Sequence, residues 1–323
     1  MTKLIVVTGA AGFIGRNTVA ALNARGADNL LLVDTLGKEE KWRNLEGLAF
    51  EDILNPEEFL KRIDSTSQLE VDAVIHLGAC SSTTEKDADF LLSNNYHYTR
   101  SLCSWCQERN ARFIYASSAA TYGDGTLGYS DDDKVTPTLR PLNMYGYSKH
   151  MFDLWALKTG LFDRIVGLKY FNVFGPYEDH KHDMRSVVNK SYDDILKNGE
   201  VLLFKSYRDG IADGEQKRDF VYVKDAVNVT LHFLEHRDAG GLFNCGTGQA
   251  RTWNDLAWAV FSAMNREPNI RFIEMPDYLR LKYQYFTQAD TSKLRKAGYI
   301  TPFTSLEDGV RDYVANFLAV RKV

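Results

Sequence analysis

The chain alternates short apolar runs with stretches of helical period. Leu4 to Thr8 is an apolar run ending at Gly9, and apolar positions from Phe13 to Leu22 recur at helical spacing, so the opening segment reads as strand, loop and helix. Leu30 to Val33 is a second run, closed by Asp34. Further strands are expected at Ala73 to Leu77, Phe113 to Ala116 and Ile165 to Tyr170, with helices near Glu57 to Ile63, Asp87 to Glu108 and Tyr145 to Lys158. Such alternation implies a parallel sheet covered on both faces. Beyond Tyr170 the pattern is irregular: Phe220 to Val223 and Leu242 to Cys245 read as strands, and Trp253 to Met264 and Leu306 to Phe317 as helices. The fold expected is α/β, a Rossmann-like doubly wound parallel sheet with a smaller mixed α/β C-terminal substrate domain. Residues 1–170 plus about 219–249 would form the dinucleotide-binding part, and about 171–218 and 250–323 mainly the substrate part. The polar stretch Ser206 to Lys217, with two glycines, is the expected mobile loop.

Composition narrows the function classes. At 323 residues, 44% hydrophobic and 25% charged, the chain is that of a soluble globular protein long enough for a large core. A formal net charge of −4, without a Lys/Arg block, argues against a nucleic-acid partner. The start lacks a signal-peptide core, and no apolar stretch is long enough to span a bilayer, so the expected compartment is the cytoplasm and no membrane partner is expected. The four cysteines are too scattered for a disulfide framework, and neither Cys103-x-x-Cys106 nor His180 with His182 has the further ligands a metal site needs.

Candidate chemistry begins at the glycines. Gly9, Gly12 and Gly15 follow a strand and open a helix, where small residues let backbone approach a pyrophosphate and helix N–H groups face its charge. A glycine trio can also be a plain tight turn, but Asp34 ends the next strand at the spacing of a ribose-binding carboxylate. Asp34 alone favours NAD over NADP; Lys38, Lys41 and Arg43 lie just beyond it and can reverse that preference. Asp52-Ile53 and Gly78-Ala79-Cys80 follow later apolar runs and are expected at the same sheet edge. Ser117-Ser118 ends another strand there. Tyr145 and Lys149, at i and i+4, share a helix face, and a cation beside a phenol lowers its pKa from about 10 toward the range of a proton acceptor. Y-x-x-x-K is common on amphipathic helices, so its weight comes from its company.

Gly9, Gly12, Gly15, Asp34, Ser118, Tyr145 and Lys149, with Tyr170 to Pro176 (YFNVFGP) and Arg218 to Val223 (RDFVYV), resemble the extended short-chain dehydrogenase/reductase family of nucleotide-sugar enzymes. The resemblance covers nearly the whole chain. His76 to Glu85, Ala116 to Gly123, His180-Lys181 and Phe286 to Asp290 resemble more narrowly a branch that inverts an exocyclic carbon of an ADP-linked heptose. This resemblance implies an ADP-heptose substrate, a tightly held NADP (with NAD possible) and a homo-oligomer. It implies catalytic roles for Ser118, Tyr145 and Lys149, with Lys181 as second acid/base; a lysine so used must have a lowered pKa, through burial or cations such as Lys149, His180 or His182. It further implies cofactor contacts from Phe13, Ile14, Thr35, Lys41, Leu77, Gly78, Ala79, Cys80, Ser81, Asn94, Lys149 and Val173 beside the glycines and Asp34. Substrate contacts are implied for Ser118, Asn172, Asp183, Lys190, Phe204, Arg218 and Tyr283. The chain departs from the family pattern at Thr35, Pro56, the segment 182–185 and the segment 204–217. A UDP-sugar 4-epimerase sharing Ser118, Tyr145 and Lys149, and a non-catalytic dinucleotide sensor or scaffold on the same fold, stay open as alternatives.

Overall fold

The structure, a computed structural model, describes residues 4–65, 69–280 and 283–321. In chain order the first half runs β1 (Leu4–Thr8), α1 (Phe13–Ala24), β2 (Leu30–Val33), β3 (Asp52–Leu54), α2 (Pro56–Ser65), β4 (Val71–His76), α3 (Ala88–Leu91), α4 (Tyr98–Glu108), β5 (Arg112–Ser118), α5 (Met144–Lys158) and β6 (Ile165–Tyr170). The second half runs β7 (Asn172–Phe174), α6 (Val187–Asn198), β8 (Val201–Phe204), β9 (Lys217–Tyr222), α7 (Val223–Glu235), β10 (Gly241–Cys245), β11 (Ala250–Thr252), α8 (Trp253–Ala263), β12 (Ile270–Ile273), α9 (Asp277–Arg280), α10 (Ser292–Lys296) and α11 (Leu306–Tyr313).

Seven strands form one parallel sheet in the order β10-β6-β5-β4-β1-β2-β3. Strands buried on both faces read as continuous apolar runs, and alternate residues serve opposite layers. Val7, Leu30 and Leu32 pack in one core with residues of α1, α6, α7, α8 and α11, while Val6, Leu31 and Val33 pack in another with α2, α4 and α5. The doubly wound sheet expected from the sequence is the one observed. Of the stretch 219–249, β10 joins this sheet, whereas β9 pairs with β7 and β11 in a separate three-stranded sheet; β8 and β12 form a parallel pair. Asp52, expected at the carboxyl end of a strand, instead opens β3, with its exposed side chain 3.5 Å from Arg62. Edge strands are short, and three residues do not carry Asp52 to the ligand edge. Among the described residues no helix is long and apolar enough to cross a membrane.

The expected helix at Asp87 to Glu108 forms with a widened π turn, Leu92–His97, between α3 and α4. Such turns re-aim side chains. Here the turn carries Asn95, which is fully buried; its Oδ1 accepts from Cys80 N at 2.9 Å, and its Nδ2 donates to Cys80 O (2.9 Å) and Ser148 Oγ (3.0 Å).

A fully buried ion pair fixes α5 on the sheet. Asp153 accepts from the Tyr115 hydroxyl (2.7 Å) and Ser117 Oγ (2.8 Å) of β5 and pairs with Lys169 Nζ of β6 at 3.1 Å. Lys169 also donates to Thr121 Oγ1 at 2.6 Å. A buried charge stripped of its partner is costly, so Lys169→Met is expected to destabilise the fold by about 3–5 kcal/mol, while a matched apolar pair recovers most of that. The midpoint of urea unfolding checks this; a single variant as stable as the parent contradicts it.

Candidate active site

The carboxyl ends of β1, β4, β5 and β6 open into a cavity of about 760 Å³, at the point where strand order reverses between β1 and β4. Its floor is the turn from β1 into α1. Gly9 has φ +68°, a left-handed conformation suited to glycine, and a Cβ on Gly15 would lie 2.0 Å from the Gly9 carbonyl oxygen. The first turn of α1 has no side-chain cap and no acidic residue, so its N–H groups face the cavity free to meet an anion. At the far end Asp34 accepts from Ala11 N (2.8 Å) and pairs with Lys41 Nζ (2.6 Å). This turn, this helix terminus and this carboxylate fit a dinucleotide.

Most of the sequence-derived candidates converge on the cavity. Gly9, Gly12, Phe13, Ile14, Gly15, Asp34, Lys41, Leu77, Gly78, Ala79, Cys80, Ser81 and Val173 line it, as do Ser118, Tyr145, Lys149, Asn172 and Lys181. Others lie off it. Thr35 is exposed and gives its carbonyl to Lys41, Asn94 donates to Asn95 Oδ1, and Asp183 is exposed with its carbonyl accepting from Lys190 Nζ at 3.2 Å. Phe204 ends β8, half-buried. Arg218 and Tyr283 line a smaller adjoining hollow of about 190 Å³ that shares Thr83, Ala120 and Gln284 with the main cavity. The buried Arg218 guanidinium lies 5.0 Å from the Tyr283 ring and 5.6 Å from that of Trp253.

The titration expected of Tyr145 is corrected by its surroundings. Enclosure of the Tyr145 phenol raises its pKa, with the Ser118 hydroxyl opposing and Cys80 adding to the rise. Lys149, buried one helical turn on, does not reverse this: burial pushes its ammonium down to about 8, with Asp153 and Cys80 opposing. Desolvation disfavours both charged forms and outweighs the attraction expected from the i, i+4 spacing.

Lys181 also lines the cavity, carried on a 3₁₀ turn, Asp179–Met184, with its Nζ 5.2 Å from the centre of the Phe13 ring. Its pKa is lowered as expected, by burial first and by Lys190, with Glu178 opposing. The expected histidine contribution is absent. Burial, then Lys41 and Lys181, push His180 down to about 4, so it is neutral, and exposed His182 turns outward to Glu39 at 2.8 Å.

Several residues at the site escaped sequence reasoning. Asn95 ties the loop after β4 to α5 through Ser148, whose hydroxyl donates to Tyr145 O at 2.7 Å. His76 lies buried between Thr8 Oγ1 (2.6 Å) and Thr99 Oγ1 (2.8 Å). Because the Thr99 hydroxyl gives its proton to Asn95 O, Nε2 of His76 is the donor and Nδ1 accepts from Thr8. Burial, aided by Lys149, pushes His76 down to about 3, so it stays neutral. A pair of asparagines inside a helical period was the available signal for Asn95.

Residues 5–246 match the model of the NAD dependent epimerase/dehydratase family. The chain is 54% identical over 317 residues to the ADP-L-glycero-D-manno-heptose-6-epimerase of Nitratidesulfovibrio vulgaris (strain DP4), covering 98% of each. It is 48% identical over 330 residues to the protein of that name from Fusobacterium nucleatum, again covering 98% of each. Among solved structures, the Helicobacter pylori ADP-L-glycero-D-manno-heptose-6-epimerase superposes with a TM-score of 0.83 at 28% identity, covering 98% of this chain and 97% of that one.

Gly15→Ala is expected to abolish retention of a dinucleotide, since its Cβ collides with Gly9 backbone rather than a movable side chain. The check is the cofactor released on denaturing the purified variant; release equal to the parent's contradicts the assignment.

Proposed function

The chain belongs to the NAD dependent epimerase/dehydratase family, and on that premise we propose that it converts ADP-D-glycero-D-manno-heptose to ADP-L-glycero-D-manno-heptose by inverting C6″. The observation that carries this reading is that two groups able to move protons, Tyr145 and Lys181, line one cavity from different elements, α5 and the 179–184 turn. A redox epimerisation at an exocyclic carbon needs such a pair, because the ketone must offer one face on oxidation and the other on reduction. The identity of 54% and 48% to heptose epimerases over nearly the whole chain supports the same substrate.

The nicotinamide cofactor of this family supplies a hydride acceptor in the first half of the reaction and a donor in the second. Gly9, Gly12 and Gly15 with the first turn of α1 would hold its pyrophosphate, and Asp34 with Lys41 its ribose. Tyr145, beside Ser118, would accept the C6″ hydroxyl proton when that carbon is oxidised. With the ketone turned over, the Lys181 ammonium would give a proton to the C6″ oxygen as that carbon is reduced on its other face, and proton exchange with solvent would return Tyr145 and Lys181 to their starting forms. Lys149 supplies positive charge beside Tyr145 below about pH 8 and so favours the phenolate when the proton is taken. Arg218, buried beside the Tyr283 and Trp253 rings and lining the smaller hollow, would pair with the substrate diphosphate.

NADP fits this site better than Asp34 alone suggests. The Lys41 ammonium sits on the Asp34 carboxylate, which is also engaged by Ala11 N, so a second phosphate would meet a cation rather than a bare anion.

Tyr145→Phe and Lys181→Met are each expected to lose epimerisation by about 10²-fold or more while retaining cofactor, as removal of a positioned acid/base does. Turnover assays on ADP-heptose check this, and parental turnover in either variant removes the two-base scheme. Lys41→Ala is expected to weaken NADP more than NAD in a binding titration; equal weakening rules out Lys41 as the 2′-phosphate contact.

A further inference from the structure

Glu178 is 0% exposed and lies three residues before Lys181, whose backbone N–H donates to the Glu178 carbonyl at 2.9 Å. A buried carboxylate needs donors or a counter-charge, and Glu178 has donors on both oxygens. Ser186 N donates to Oε2 at 2.6 Å; Ser186 Oγ (2.5 Å) and the Tyr313 hydroxyl (3.2 Å) donate to Oε1. The direction of these protons can be read from the next shell. Asn189 Nδ2 donates to the Tyr313 hydroxyl at 2.7 Å, and Asn189 N donates to Ser186 Oγ at 3.2 Å. Each hydroxyl therefore accepts from Asn189 and turns its own proton on Glu178. Burial holds the Glu178 carboxyl above its ordinary value, with Ser186, Lys181 and Tyr313 opposing the rise; the three inward donors are those an ionised carboxylate accepts.

The frame around this carboxylate is rigid. Asn189 is fully buried and donates to Asp179 Oδ1 as well (2.9 Å), and Arg185 NH1 binds Asn189 Oδ1 and Asp193 Oδ2, both at 2.8 Å. Glu178 thus ties the turn that carries Lys181 to α6 through Ser186 and to α11 through Tyr313. The backbone beside Lys181 is held in an unfavourable conformation, with His182 at φ 47° and ψ −117°, which persists only where its surroundings fix it.

We propose that Glu178 is a positioning residue for Lys181: its anchored carboxylate is the fixed counter-ion against which Lys181 takes up and releases its proton, and its hydrogen bonds set where the lysine enters the cavity. The inference rests on the reading of Lys181 as the second acid/base. Among the described residues, the charged and titratable groups that act on Lys181 are Glu178 on its own turn, Lys190 on α6 and the neighbouring His180, with the Phe13 ring of α1 beside it. Glu178 is the anion of this set. Without it the ammonium faces burial and Lys190 unaided, so its affinity for the proton falls.

The test is competitive acylation of the Lys181 amine with acetic anhydride across a pH series, read by peptide mass spectrometry on the purified full chain. In Glu178→Gln, whose amide oxygen can still accept hydrogen bonds, the pH of half-reaction is expected to fall by about one unit, as removal of an opposite charge lowers an ammonium's affinity for its proton. Glu178→Asp, which keeps the charge, is expected to recover most of the shift. An unchanged half-reaction pH in folded Glu178→Gln overturns the proposal. If that variant does not fold, the carbon-13 carboxyl resonance of Glu178 in the unsubstituted protein decides: an ionised carboxylate at neutral pH that responds as Lys181 titrates supports the proposal, and a protonated carboxyl overturns it. None of these readouts needs turnover. Full epimerisation by Lys181→Met would instead defeat the catalytic reading of Lys181 and leave the labelling result standing, so the two failures are distinguishable.

Discussion

Asp153 is a fully buried carboxylate, and the way its charge is answered governs the geometry around the cavity. It draws the Tyr115 hydroxyl, the Ser117 hydroxyl and the Lys169 ammonium to one point, clamping α5 against β5 and β6. Tyr145 and Lys149 lie on that same helix, two turns and one turn before it, and Ser118 follows Ser117 at the end of β5. The register that brings the Tyr145 phenol to Ser118 is thus set by a pair of charges that do no chemistry on substrate. Unpaired, either charge would cost several kcal/mol; paired and hydrogen-bonded, they specify one position of the helix.

The turn that brings Lys181 to the cavity is built by the same means. Lys181 is carried on a short turn between β7 and α6, and that turn is held by a buried carboxylate, Glu178, whose partners come from α6 and α11. Burial is the common influence on the groups facing the cavity. It raises Tyr145 and lowers Lys149, Lys181 and His180, moving each toward its neutral form. A site poised to hand one proton out and take another back is served by groups whose charged and neutral forms are brought closer in energy.

Features that depend on near neighbours in the chain were legible from the sequence. The β1 run, the glycine turn and Asp34 predicted a dinucleotide edge because close backbone approach demands glycine, and Tyr145 with Lys149 share a face by helical period alone. A doubly wound parallel sheet followed from the alternation of apolar runs with helical stretches. What the sequence hid is long-range. Asp153 is separated from Tyr115 by 38 positions and Glu178 from Tyr313 by 135, and no local pattern says that they meet. Asn94 stood out as a candidate, but the π turn brings its neighbour Asn95 onto Cys80 and Ser148. The sign of the Tyr145 shift was misjudged for the same reason: spacing reveals a neighbouring cation, whereas desolvation appears only when the surrounding elements are in position.

On the proposed reading one cavity removes hydride and a proton from an exocyclic carbinol and restores them on the other face. NMR of the purified protein with ADP-D-glycero-D-manno-heptose, following the C6″ stereochemistry with no cofactor added, tests it most directly. Conversion toward the L-glycero epimer is the predicted result, since the dinucleotide is regenerated in each cycle. Unchanged C6″ stereochemistry, with NADP or NAD then supplied as well, would contradict the account.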